Sequence, residues 1–139
     1  MTIINVPSGA KVDIKDSSTE EAFELYDEVT KILLERKLSL HGILLGYRNM
    51  ILRKNEESDG TIYFSDILAI EGASEAFMLL TSSKIVRDRV FKALLRCTYN
   101  DAKITQATFE NNPKAKEDYQ YIFFAALKEN LAPFFSFLL

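Results

Sequence analysis

Apolar and charged residues alternate with period two along Lys11-Val12-Asp13-Ile14-Lys15, and Ile3, Ile4 and Val6 stand before the turn formers Pro7, Ser8 and Gly9. The two runs predict a β-hairpin whose second strand puts Val12 and Ile14 on one face and Lys11, Asp13 and Lys15 on the other. A single apolar face needs a cover, and the next segment supplies a helix. Ser17 and Ser18 stand three residues before Glu20 and Glu21, a capping-box pattern in either register, with acidic side chains at the positive end of the macrodipole. Ala22, Tyr26, Val29 and Leu33, flanked by Leu25 and Ile32, then recur as one apolar stripe that ends near Lys37.

From Leu38 to Phe64 the pattern fits a broken helix about as well as a pair of strands. Gly42 and Gly46 weaken a helix, and Lys54 to Gly60 is a polar stretch ending in a turn-favouring Asp-Gly pair, so Asn49 to Phe64 is read as strand, turn, strand. Ser65 caps a helix from Asp66 that Gly72 interrupts or ends, and Ala76 to Leu80 forms a further apolar piece before a break at Thr81 to Ser83.

The pattern sharpens again after Lys84. Val86, Val90, Ala93, Leu94 and Cys97 share one helix face, with Arg87, Asp88, Lys92 and Arg96 mostly on the other. Tyr99-Asn100-Asp101 reads as a turn followed by a short extended piece to Ile104. Asn112 and Pro113 suit the cap and first position of a last helix running toward Asn130, with Tyr119, Ile122, Phe123 and Ala126 as its main buried stripe. Phe124, Ala125 and Leu127 widen that stripe almost to a full circumference, which implies burial on several sides. Pro133 breaks the helix and leaves Phe134-Phe135-Ser136-Phe137-Leu138-Leu139.

These elements make one mainly helical α+β domain over residues 1–139, with an amino-terminal hairpin packed on the first helix, a central last helix and an apolar carboxyl-terminal segment, 131–139. No repeat or linker divides the 139 residues. The 17 basic and 20 acidic side chains give a net charge of −3, and no basic run gathers phosphate, which argues against nucleic acid as a partner. Local basic patches, such as Arg87, Arg89, Lys92 and Arg96, stay open. The longest strictly apolar run, Ile122 to Leu127, falls far short of the ~20 residues of a membrane span. A lone Cys97 and the absence of a signal-peptide pattern near Met1 suit a reducing, cytoplasmic setting.

Candidate chemistry is sparse. His41 and Cys97 lie far apart in sequence; Cys97 falls on the apolar face of its helix, and His41 beside Gly42 reads as a helix-end residue. The carboxylate pairs Glu20-Glu21 and Glu117-Asp118 are adjacent residues that point apart on a helix, Glu56-Glu57 falls in a solvated loop, and the five glycines build no phosphate loop. The expectation is a noncatalytic protein without cofactor or metal. The strongest feature is the carboxyl end, where Phe134, Phe135, Phe137 and Leu138 crowd together. Either they fold back and finish the core, or they form a sticky surface for an apolar helix or a second copy of the chain.

An ordered series of segments adds a resemblance. Leu95-Arg96-Cys97-Thr98-Tyr99-Asn100, Lys103-Ile104-Thr105, Thr108-Phe109-Glu110, Lys116-Glu117-Asp118-Tyr119 and Lys128-Glu129-Asn130-Leu131-Ala132-Pro133-Phe134-Phe135 follow one another, behind a start at Gly9-Ala10-Lys11-Val12 to Ile14 and a helix opening at Glu20. This series resembles the small tail assembly proteins, or tail assembly chaperones, of long-tailed bacteriophages and prophages; the stretch from Leu38 to Leu80 takes no part in it. The resemblance implies a noncatalytic chaperone in the cytoplasm of a bacterial host. It would keep an aggregation-prone tape measure protein soluble during tail assembly, self-associate, and be absent from the finished particle; in many of these phages a frameshifted longer form contacts tail tube subunits. On this reading Phe134, Phe135, Phe137 and Leu138 face the partner. The alternative is a permanent tail component, such as a ring-forming connector or terminator.

Overall fold

The computed structural model describes residues 2–57 and 63–134. Four short strands, β1 (Thr2–Asn5), β2 (Lys11–Ile14), β3 (Thr98–Tyr99) and β4 (Ala102–Lys103), form an antiparallel sheet in that order. Among the described residues seven helices accompany it: α1 (Thr19–Glu35), α2 (Leu40–Glu57), α3 (Phe64–Leu68), α4 (Ala73–Ser82), α5 (Lys84–Leu94), α6 (Gln106–Glu110) and α7 (Pro113–Leu131). The fold is α+β and mainly helical, as the hydrophobic pattern implies.

The amino-terminal hairpin pairs Ile4 with Val12 and Ile3 with Asp13, closed by a turn in which the Gly9 amide donates to the Val6 carbonyl at 3.0 Å. Val12 and Ile14 are buried as expected. Asp13 is buried too, because β3 adds to the outer side of β2 and brings the Thr98 hydroxyl within 3.3 Å of its carboxyl group. The expectation that Asp13 faces solvent with Lys11 and Lys15 is therefore corrected. A second correction concerns the cover: the helix that packs most on β2 is α7, not α1.

Local chemistry fixes the helix ends. Ser18 caps α1 by accepting from the Glu21 amide at 3.2 Å. At its other end Lys37 takes a positive φ of 57°, while Lys37 and Leu38 donate to the Leu34 and Leu33 carbonyls, a Schellman closure without glycine. Asn112 accepts from the Lys114 and Ala115 amides ahead of α7, with Pro113 in its first turn. Asn100 and Asp101 both have positive φ, 51° and 68°, which is the two-residue turn that joins β3 to β4.

The core runs from Val12 and Ile14 through Leu25, Val29 and Leu33 of α1 and Val86, Val90 and Leu94 of α5 to Ile122 and Phe123 of α7. Helix α7 lies against α1, α5, α6 and β2, which explains why it is apolar around most of its circumference. Two buried polar groups on α7 hold the amino-terminal segments to it. Asp118, fully buried, accepts from the Ser8 amide at 3.0 Å, the Ser8 hydroxyl and the Tyr99 hydroxyl at 2.8 Å. Asn130 accepts from the Ser17 amide at 3.2 Å and the Ser17 hydroxyl, and donates to the Ala126 carbonyl at 2.7 Å.

The largest correction falls between Asn49 and Glu57, read as strand and turn, while the helical alternative holds from Leu40 onward. No strand forms there: the segment is helix α2, with the Gly42 amide donating to Ser39 Oγ at 3.0 Å in its first turn. Asp59 and Gly60, the expected turn, lie outside the described residues. Helix α3 starts at Phe64 rather than Asp66, and the Asp66 carboxyl group accepts from the Tyr63 amide at 2.9 Å instead of Ser65 acting as cap. Gly72 does interrupt the chain. Its φ of +82° lets it precede α4, where a residue with a Cβ would be strained and would meet Leu38 at 3.4 Å. The break before α5 narrows to Ser83, whose hydroxyl caps that helix.

Candidate functional site

Helix α2 carries Leu40, Ile43, Leu44 and Tyr47 at helical spacing, and this stripe roofs an apolar hollow of about 130 Å³. Val29 and Leu33 of α1 form one wall. Ala73, Ala76, Phe77 and Leu80 of α4 form the floor with Phe124, Leu127 and Leu131 of α7, while Ile67, Leu68 and Ile70 close the side at α3. The lining is almost entirely carbon, so water inside would find few hydrogen-bond partners.

The walls of the hollow are set by packing elsewhere. Phe64 of α3 stacks into a ring cluster with Tyr121 at 4.9 Å, Phe77 at 5.3 Å and Phe124 at 5.6 Å, which fixes α3 and α4 against α7. The roof is less firmly attached. Of the three long helices, α1, α2 and α7, α2 packs least on its neighbours. It comes close to the body at Gly46, where an added Cβ would lie 2.7 Å from Ile70 Cγ2, and one polar link joins Lys54 to Asp66 at 3.2 Å. Hydrogen bonding from the Tyr63 amide holds the Asp66 carboxyl group below the usual carboxylate range, with Lys54 adding to the effect, so Asp66 is charged for that link at neutral pH.

Lys128 lines the same hollow from α7 and is itself exposed. Its ammonium sits 5.1 Å from the centre of the Tyr47 ring, a cation-π contact across the gap between α7 and α2.

The carboxyl-terminal candidates divide between described and undescribed residues. Ala132 to Phe134 form a single 3-10 turn after α7, and the Phe134 ring packs on Phe23 at 4.4 Å and on Tyr26 at 5.2 Å. Phe134 thus folds back onto α1 but remains half-buried. Phe135, Phe137 and Leu138 lie outside the described residues. The Phe134 contact extends a stripe on the outer side of α1, from Phe23 and Tyr26 through Thr30 to Leu34, of which Phe23 is 49% and Leu34 65% exposed. The lower half of this stripe borders a shallower groove of about 420 Å³ that reaches Ser39 and His41.

The two candidates for nucleophilic chemistry are not brought together. Cys97 is buried beneath β2, where its sulfur accepts from the Lys15 amide at 3.4 Å and its thiol donates to the Ala93 carbonyl at 3.6 Å. Burial pushes that thiol above its ordinary pKa, the opposite of an activated nucleophile. His41 is exposed in the first turn of α2, and the groove it borders does not include Cys97. Among the described residues no three His, Cys, Asp or Glu side chains are grouped to hold a metal ion. Three arginines of the basic patch on and just after α5 are engaged within the fold: Arg89 pairs with Glu24, Arg96 with Glu21 at 2.9 Å, and Arg87 donates to the Thr81 carbonyl at 2.9 Å.

Sequence reasoning overlooked Leu44, Tyr47 and Lys128 as site residues. The signal was present in the i, i+3, i+4, i+7 spacing of Leu40, Ile43, Leu44 and Tyr47, but Gly42 and Gly46 obscured it. In the sequence Asp118 stands out as half of an acidic pair and within the Lys116 to Tyr119 segment, and neither pattern signals a buried acceptor. Among the described residues no helix is long and apolar enough to cross a membrane. Comparison with known protein families, with curated proteins and with solved structures finds no match to this chain.

Proposed function

We propose that this chain is a noncatalytic binding protein for apolar helical segments, acting as a phage or prophage tail assembly chaperone whose client is a tape measure protein. The observation that carries the reading is the apolar hollow under α2, which reaches the surface beside Lys128 and has a half-exposed aromatic stripe, Phe23, Tyr26 and Phe134, on the adjoining α1. Apolar surface of this kind binds the nonpolar face of an amphipathic helix, and a net charge of −3 keeps the carrier soluble. The client's identity rests on the segment series from Leu95 to Phe135, and the setting it brings is the cytoplasm of the bacterial host. Contacts with tail tube subunits and self-association belong to the same reading.

Co-expression with a tape measure protein from the same genome tests it. Wild-type chain is expected to keep the client soluble and to co-purify with it, and the combined Phe134→Ser, Phe135→Ser and Phe137→Ser variant, if folded, to do so less well. Retention of the chain in purified particles would instead favour a permanent tail component such as a connector or terminator ring.

A further inference from the structure

We propose that the hollow beneath α2 is the seat for one aromatic side chain of a partner helix, and that Lys128 pairs with a carboxylate one helical turn from that side chain. The proposal rests on the binding reading above for the helical form of the partner, and adds which residues of the partner are recognised.

Size selects the occupant. An apolar cavity of about 150 Å³ lined by Leu, Ile and Phe stays dry and takes up benzene, and the hollow here is about 130 Å³ with a lining of the same kind. A phenyl ring fits, whereas a whole helix does not. The phenyl rings of the described lining are themselves packed into its wall, Phe77 and Phe124 against Phe64.

Charge selects what stands beside the ring. Among the described residues Lys128 is the charged residue of the lining, and no ion pair joins it to a carboxylate. Its contact is the face of Tyr47, a residue of the roof. Residues one turn apart on a helix lie about 5–6 Å from each other, so an acidic residue four positions from the inserted ring meets Lys128 at the mouth. The ring enters at the mouth beside Lys128, and α2, the least packed of the long helices, can adjust to it without disturbing the core of α1, α5 and α7.

The test uses the full chain and a fluorescent amphipathic peptide of about 18 residues, long enough to be helical when bound, with one central Phe, a Glu four positions later and Ala elsewhere on that face. Binding is followed by anisotropy. Replacing the peptide Phe by Ala is expected to weaken binding about tenfold or more, the cost of withdrawing a phenyl group from an apolar site. Replacing the peptide Glu by Lys weakens it several-fold, and Lys128→Glu in the chain restores that loss. Leu44→Phe from the roof and Ala76→Leu from the floor fill the hollow, abolish peptide binding and raise the melting temperature.

Equal affinity for the Phe and Ala peptides, or full binding by a folded Leu44→Phe or Ala76→Leu variant, overturns the proposal. If both filled variants keep the tape measure protein soluble as well as wild type does, the seat is wrong and the chaperone reading survives. If the peptide binds with the predicted pattern while the wild type leaves that client insoluble, the seat stands and the chaperone reading falls.

Discussion

The Tyr99 hydroxyl on β3 donates a 2.8 Å hydrogen bond to the buried carboxyl group of Asp118 on α7. Ser8, in the turn between β1 and β2, donates to the same group through its amide at 3.0 Å and through its hydroxyl. One α7 side chain therefore fixes two strand segments that are distant in sequence, and a buried acceptor of this kind is costly to leave short of donors. Tyr99→Phe is expected to destabilise the fold by about 1–3 kcal/mol. Urea unfolding followed by circular dichroism checks this; an unchanged midpoint would mean that the Ser8 donors alone satisfy Asp118.

Legibility along the chain followed the range of the interactions. The ends of α1 and α7 were readable because Ser18 and Asn112 satisfy amides within three residues of themselves, and the Asn100-Asp101 turn because those residues tolerate positive φ. Helix α2 was misread because Gly42 and Gly46 look like helix breakers, yet Gly46 is small for a tertiary reason, the proximity of Ile70. Asp13 was assigned to solvent because the strand that covers it, β3, is contributed from residues 98–99. The hollow was not visible at all, since α1, α2, α3, α4 and α7 each contribute a part of its wall and no local pattern encodes the gap between them.

Gly46 tests how α2 is seated. In Gly46→Ala the new methyl group would stand 2.7 Å from Ile70 Cγ2, and this branch carbon has little freedom to retreat. Overpacking of about 1–3 kcal/mol acts against a gain of about 1 kcal/mol in helix propensity. The expected outcome is a displaced α2, seen as faster amide exchange across residues 43–54, with α1, α5 and α7 unchanged. Slower exchange in α2 would show that Gly46 is not a close contact.

Stability should decline on the alkaline side. Burial raises the pKa of the Cys97 thiol and of the Tyr99 and Tyr119 hydroxyls. Above about pH 8.5 for the cysteine and about pH 10 for the tyrosines the unfolded chain releases these protons while the folded chain retains them. The stabilisation is complete below those values and is lost as pH rises through the higher folded-state values. Melting temperatures measured from pH 7 to 10.5 are expected to fall, and Cys97→Ala to remove the earlier part of the decline.

On the acid side the sensitive group is Asp66, whose pKa is lowered mainly by the Tyr63 amide. Its contribution is present above the ordinary carboxylate value of about 3.9 and is lost as pH falls through the lower folded value. The Tyr63 amide resonance should titrate with a midpoint below that ordinary value, and in Asp66→Asn this titration should vanish. A midpoint at or above the ordinary value would contradict the hydrogen bond that starts α3 and its link to Lys54 of α2.

Binding of an apolar helical client is best tested by co-expressing the intact chain with a tape measure protein from the same genome and weighing the client in the soluble fraction. A soluble client that co-purifies with the wild type, and is lost with the folded Phe134→Ser, Phe135→Ser and Phe137→Ser variant, is the expected result. An insoluble client beside a stable, discrete ring of this chain alone would contradict the chaperone reading and favour a structural tail component.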